Sequence, residues 1–116
     1  MTSRDTLRLL FGCILLTMVA VTLWASSNQS IWQWQGLAQQ PDRAWTIATL
    51  CDAYAGFLTF YAWVYYKEHA IGRVTWFIAI MLFGNIAMAS FMLRELARLK
   101  ANEPLEQLLM RRPDAR

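Results

Sequence analysis

Metal and redox chemistry have little to work with in this chain, which carries one histidine and two cysteines. His69 falls in a short polar stretch, and Cys13 and Cys51 fall in separate apolar runs with no ligand-type spacing. That pattern excludes a metal site, argues against a disulfide and names no cofactor; both cysteines read as small packing residues. Charge is scarce as well. Only 16% of the 116 residues are Asp, Glu, Lys or Arg, against 57% hydrophobic, and the mean hydropathy is +0.27. Lys and Arg are missing altogether from residues 9–25, 44–66 and 74–93. A soluble domain this short cannot bury so much apolar surface. The three runs are also apolar on every face, unlike the one-sided helices of a soluble bundle.

What is present points to the bilayer. Each run approaches the roughly 20 apolar residues that a spanning helix needs. The expected fold is all-α and integral to a membrane: one domain over residues 1–116, three transmembrane helices, and an amphipathic basic tail over 94–116. Residues 1–8 are short and basic ahead of the first run, as in a secretory signal, and Ala25-Ser26-Ser27 has the small side chains of a cleavage site. The first run is longer than a usual signal core, so it is read as a retained span.

The first connection, residues 26–43, is polar and rich in Gln. Trp24, Trp32, Trp34 and Trp45 read as interfacial anchors, because an indole ring is apolar while its N–H stays wet. Asp42 is the expected N-cap of the second span. The second connection, residues 67–73, is so short that helices two and three should form an antiparallel hairpin. Lys67 and Glu68 mark the water boundary there, with the Lys67 stem free to snorkel. The net charge is +3. No basic face on a recognition module is present, so nucleic acid is not an expected partner; the tail's bases suit anionic headgroups of a lipid bilayer. With three spans, Arg43 and the six tail bases would share one side against Arg4, Arg8, Lys67 and Arg73 on the other. That balance places the C-terminus in the cytoplasm, and a bacterial inner membrane is the expected location.

Asp52 stands out, because it is the one carboxylate inside residues 44–66. That run is roughly 33 Å long as a helix, enough to cross a core of about 30 Å. An acid at such depth costs on the order of 2–3 kcal/mol and needs a partner or a purpose. Helical spacing puts Thr49, Asp52, Gly56, Thr59 and Trp63 on one face of helix two. This small, polar stripe suits close helix approach and hydroxyl bonding across helices. On helix three, Gly84, Asn85 and Ala87 supply a second set of small and polar side chains. In an antiparallel hairpin Asp52 lies level with Ala87, within one turn of Asn85, so an Asn85–Asp52 hydrogen bond is expected, with Tyr54 as a further hydroxyl. Glu68 is sixteen residues beyond Asp52, roughly 24 Å along a helix. The two therefore cannot act as an acid–base pair on one bond.

Trp45, Thr49-Leu50, Asp52, Tyr54, Trp63-Val64 and Tyr66-Lys67-Glu68 together resemble a domain-of-unknown-function family, number fourteen seventy-five. Gly84 and the leucines at positions 93, 96 and 99 fit the same pattern. The likeness covers most of the chain and is most specific in T-L-x-D-x-Y and W-V-x-Y-K-E. It implies a small multi-span membrane protein and brings no activity, cofactor or catalytic residue.

Three functions stay open. The first is a non-catalytic accessory or scaffold subunit of a membrane assembly, with a protein partner or self-association in the bilayer. The second is a binder or enzyme for a lipid, isoprenoid or quinone-like molecule, centred on Asp52. The weakest is an oligomeric channel or proton pathway, because one acid and one amide make a poor relay.

Overall fold

A computed structural model describes residues 2–33 and 41–112. Trp34 lies outside them. Among the described residues the chain is all-α, with four helices and no strand: α1 (Ser3–Asn28), α2 (Arg43–Lys67), α3 (Ala70–Phe83) and α4 (Asn85–Arg98). Short 3-10 turns follow at Ile31–Gln33 and Leu105–Leu108. Helices α1 and α2, of 26 and 25 residues, are long and apolar enough to cross a membrane; α3 is apolar but shorter.

The first helix starts at a capping box. The Thr2 hydroxyl accepts from the Asp5 N–H at 3.2 Å, and the Asp5 carboxylate accepts from the Thr2 N–H at 3.3 Å. Two orphan donors are thereby satisfied, an arrangement worth about 1 kcal/mol. Asp42 does stand at the N-cap of α2, but its side chain makes no capping bond; its backbone carbonyl receives the Thr46 N–H and hydroxyl instead.

The third run is not one helix. It breaks at Gly84, which has φ +54° and ψ −120° and joins α3 directly to α4. A side chain at that position would be strained by the backbone angles, and its Cβ would lie 2.8 Å from the Phe57 ring. The break reverses the chain. In a straight helix Trp76 and Phe91 would stand roughly 22 Å apart, yet their ring centroids are 5.0 Å apart. Helices α3 and α4 are therefore the arms of a V with Gly84 at its tip. The expected continuous helix over 74–93 is corrected accordingly: an apolar run of spanning length folds back on itself because one glycine adopts angles closed to other residues.

The V packs on α2. The Tyr61 hydroxyl donates to the Arg73 carbonyl at 2.9 Å, and the Tyr54 hydroxyl to the Met81 carbonyl at 3.2 Å. Val64, Ile80, Ala87 and Phe91 form the buried centre. Phe91 meets Phe60, Trp63 and Trp76 edge to face, at 6.0, 5.3 and 5.0 Å, the geometry that aromatic quadrupoles favour. A second cluster joins Met92, Leu96 and Leu108 to Leu7 and Phe11, which ties the start of α1 to the end of α4. The same face of α1 stays half-buried through Ile14, Leu15 and Met18, and α4 packs on α1 more extensively than on any other helix; the other face and the last turns are bare, with Leu16, Leu23 and Trp24 each more than 60% exposed.

Candidate functional site

The polar centre of the fold lies where α2 ends and α4 returns. Lys67 closes α2, and Glu95 sits on α4 in register with Phe91, Met92, Leu96 and Leu99, all of them buried. Glu95 is thus an acid on the apolar face of an amphipathic helix. Its Oε1 lies 2.5 Å from Lys67 Nζ, with both side chains 3% exposed or less. Its Oε2 lies 3.3 Å from Arg98 and 3.6 Å from Arg94. Arg94 continues the chain of charges to Glu68 at 2.6 Å. Two acids and three bases thereby alternate across the mouth of the V.

The C-terminal segment straps this cluster. Lys67 Nζ also donates to the Leu108 carbonyl, and Lys67 lies over the Trp63 ring at 5.2 Å from its centroid. The Trp63 indole N–H donates to the Leu109 carbonyl at 3.1 Å, and Arg112 donates to the Arg98 carbonyl at 2.8 Å. Arg4 of α1 reaches the Glu103 carbonyl. Buried charges are tolerated only when paired and hydrogen-bonded, and each carboxylate here has cationic partners. Such an arrangement clamps the end of α2 to α4 and the C-terminal strap. His69, next to the cluster, keeps its Nδ1 buried without a hydrogen bond.

The polar residues expected inside the bilayer lie elsewhere. Asp52 and Asn85 are both exposed, and neither side chain takes part in a hydrogen bond among the described residues. The expected pairing is not among the hydrogen bonds of the described residues. By position 87 the chain has already turned back, and Ala87 is buried beside Ile80 and Val64 instead. Thr49 and Thr59 donate to the carbonyls of Trp45 and Ala55 on their own helix, each at 2.9 Å, the local back-bonding open to a helical hydroxyl. Of the expected cluster, Tyr54 reaches a second helix. Gly56 has open space beside it, while Gly84 meets Phe57 closely. Trp24, Trp32 and Trp45 are 67%, 91% and 78% exposed; the first and last sit at the α1 and α2 ends opposite Lys67.

Glu95, Arg94 and Arg98 were legible as a site only by face. Counted as charges, Arg94 and Arg98 belong to a basic tail that Glu95 dilutes; placed on the helix, Glu95 falls in the apolar stripe.

No curated protein and no solved structure matches the chain. A family model does, described as a protein of unknown function (DUF1475), and it matches residues 10–115. The match takes in α2, the V and the ionic cluster at its mouth, and the chain belongs to the DUF1475 family.

Proposed function

We propose that this chain is an integral membrane protein with two spans, α1 and α2, and that the α3–α4 V dips into the bilayer from one side and returns. Arg4, Arg8, Lys67 and Arg73 then share that side with Arg94, Arg98 and the tail's bases, whereas Arg43 alone opens α2 on the other. The positive-inside rule makes the crowded side cytoplasmic, in a bacterial inner membrane or its equivalent.

Within that frame the chain acts as a non-catalytic accessory subunit. One observation carries this reading: Asp52 is exposed on α2, roughly 14 Å along the helix from Arg43 and so within the bilayer core. Lipid is a costly neighbour for a carboxylate, by on the order of 2–3 kcal/mol. The described helices leave that cost standing, and a further chain packed on this face would relieve it. Thr49, Gly56 and Thr59 on the same face allow that chain to come close. A lipid- or quinone-processing site at Asp52 is less well supported, because Asp52 lines neither the cleft at Trp45, Thr46, Thr49 and Leu50 nor the cleft along α1.

The test is native electrophoresis of the tagged chain from membranes solubilised in mild detergent. The wild type should migrate in an assembly larger than its 13.4 kDa monomer. Asp52→Leu should release the monomer without lowering its thermal midpoint. A wild-type monomer contradicts the proposal.

A further inference from the structure

One groove is open at the crowded end of the molecule. It has a volume of about 360 Å³ and runs between the first turns of α1 and the C-terminal strap. Leu7 and Phe11 form one wall, Leu105, Leu108 and Leu109 the other, and Met92 the floor, with Glu106 as the acid at its edge. That volume suits a small molecule rather than a partner helix, since ligand sites begin near 300 Å³ and a helix is about 10 Å across. The groove's α1 wall, Leu7 and Phe11, is about one helical turn long.

Charge sets the occupant. Arg4 lies on the same α1 face as Phe11, two turns outward. Arg8 follows Leu7, is about half exposed, and lies 3.8 Å from Asp5, its one ionic contact among the described residues. Arg111 follows two residues after Leu109; it is exposed, and its backbone N–H is fixed by the Tyr66 hydroxyl at 3.4 Å. An apolar slot whose walls are flanked in sequence by the exposed bases Arg8 and Arg111 matches an acyl chain below a negative headgroup.

We propose that the groove holds one acyl chain of an anionic phospholipid, with the phosphate between Arg8 and Arg111. The inference rests on the membrane placement above and is independent of the subunit role.

The experiment counts lipids bound per chain by native mass spectrometry, after exchange of the detergent-purified protein into dioleoyl phosphatidylglycerol or dioleoyl phosphatidylcholine. The glycerol lipid should be retained over the choline lipid by about fivefold for each base engaged. Arg8→Gln with Arg111→Gln, both exposed positions, should erase that preference while leaving the melting curve unchanged. Leu109→Trp, which fills the groove from an exposed position, should cut retention of both lipids. Inorganic phosphate at millimolar concentration should displace neither. Equal retention of the two lipids, retention unaffected by Leu109→Trp, or displacement by phosphate overturns the proposal. Failure of the subunit reading would show as a monomer on native gels with the lipid counts intact, and failure of the membrane placement as recovery of the chain without detergent.

Discussion

Arg94 Nη1 lies 2.6 Å from Glu68 Oε1, although 26 residues separate them along the chain. A continuous helix would hold them roughly 39 Å apart. The contact therefore reports the reversal at Gly84, and the buried Lys67–Glu95 pair beside it shows what holds the two arms of the V against α2.

The ionic cluster is asymmetric, and its variants should rank accordingly. Glu95→Gln takes the carboxylate away from the buried Lys67 ammonium and leaves it a neutral amide, the Leu108 carbonyl and the Trp63 ring. Removing one partner of a buried pair costs about 3–5 kcal/mol. Lys67→Met is milder, because Glu95 keeps Arg98 and Arg94. The pair Lys67→Met with Glu95→Leu should recover more than half of the loss in Glu95→Gln. Chemical denaturation in detergent micelles checks the order; equal losses in both single variants would mean that the charges are not buried as described.

Gly84→Ala should destabilise the V by about 1–3 kcal/mol through backbone strain alone, with a further loss from the Phe57 ring 2.8 Å away. Combining it with Phe57→Ala removes the collision but not the strain. The double variant should therefore melt below Phe57→Ala alone, and identical melting points would show that the tip does not need glycine.

Phe91 is fully buried among three aromatic rings, whereas Phe83 is 60% exposed. Phe91→Ala should cost about 3–5 kcal/mol by leaving a cavity, and Phe83→Ala less than about 1 kcal/mol by the same reckoning. Thermal midpoints of the two variants in one detergent measure the difference.

Apolar run length was readable from the residues because it is a property of composition: α1 and α2 enclose the expected spans over 9–25 and 44–66. The reversal was not readable, because a lone Gly84 in an apolar run reads as a packing residue, and what closes the V is contact between residues far apart in sequence. The Asp52–Asn85 pairing is absent among the described residues: Asn85 opens α4 at the tip of the V, and both side chains are exposed. Glu95 was missed on a different ground. Its charge was weighed with the tail's, while its position among Phe91, Met92, Leu96 and Leu99 on one helical face placed it in the core.

Sidedness tests the account most directly. In a background with Cys13 and Cys51 replaced by Ser, single cysteines at Ser3, Ser30 and Ala101 are labelled in intact cells and in inverted vesicles with a membrane-impermeant thiol reagent. Two spans and a V that returns place positions 3 and 101 on the same, cytoplasmic side and position 30 on the other, so positions 3 and 101 label only in inverted vesicles. Labelling of position 101 together with position 30 from outside the cell would require a third crossing and would contradict the account.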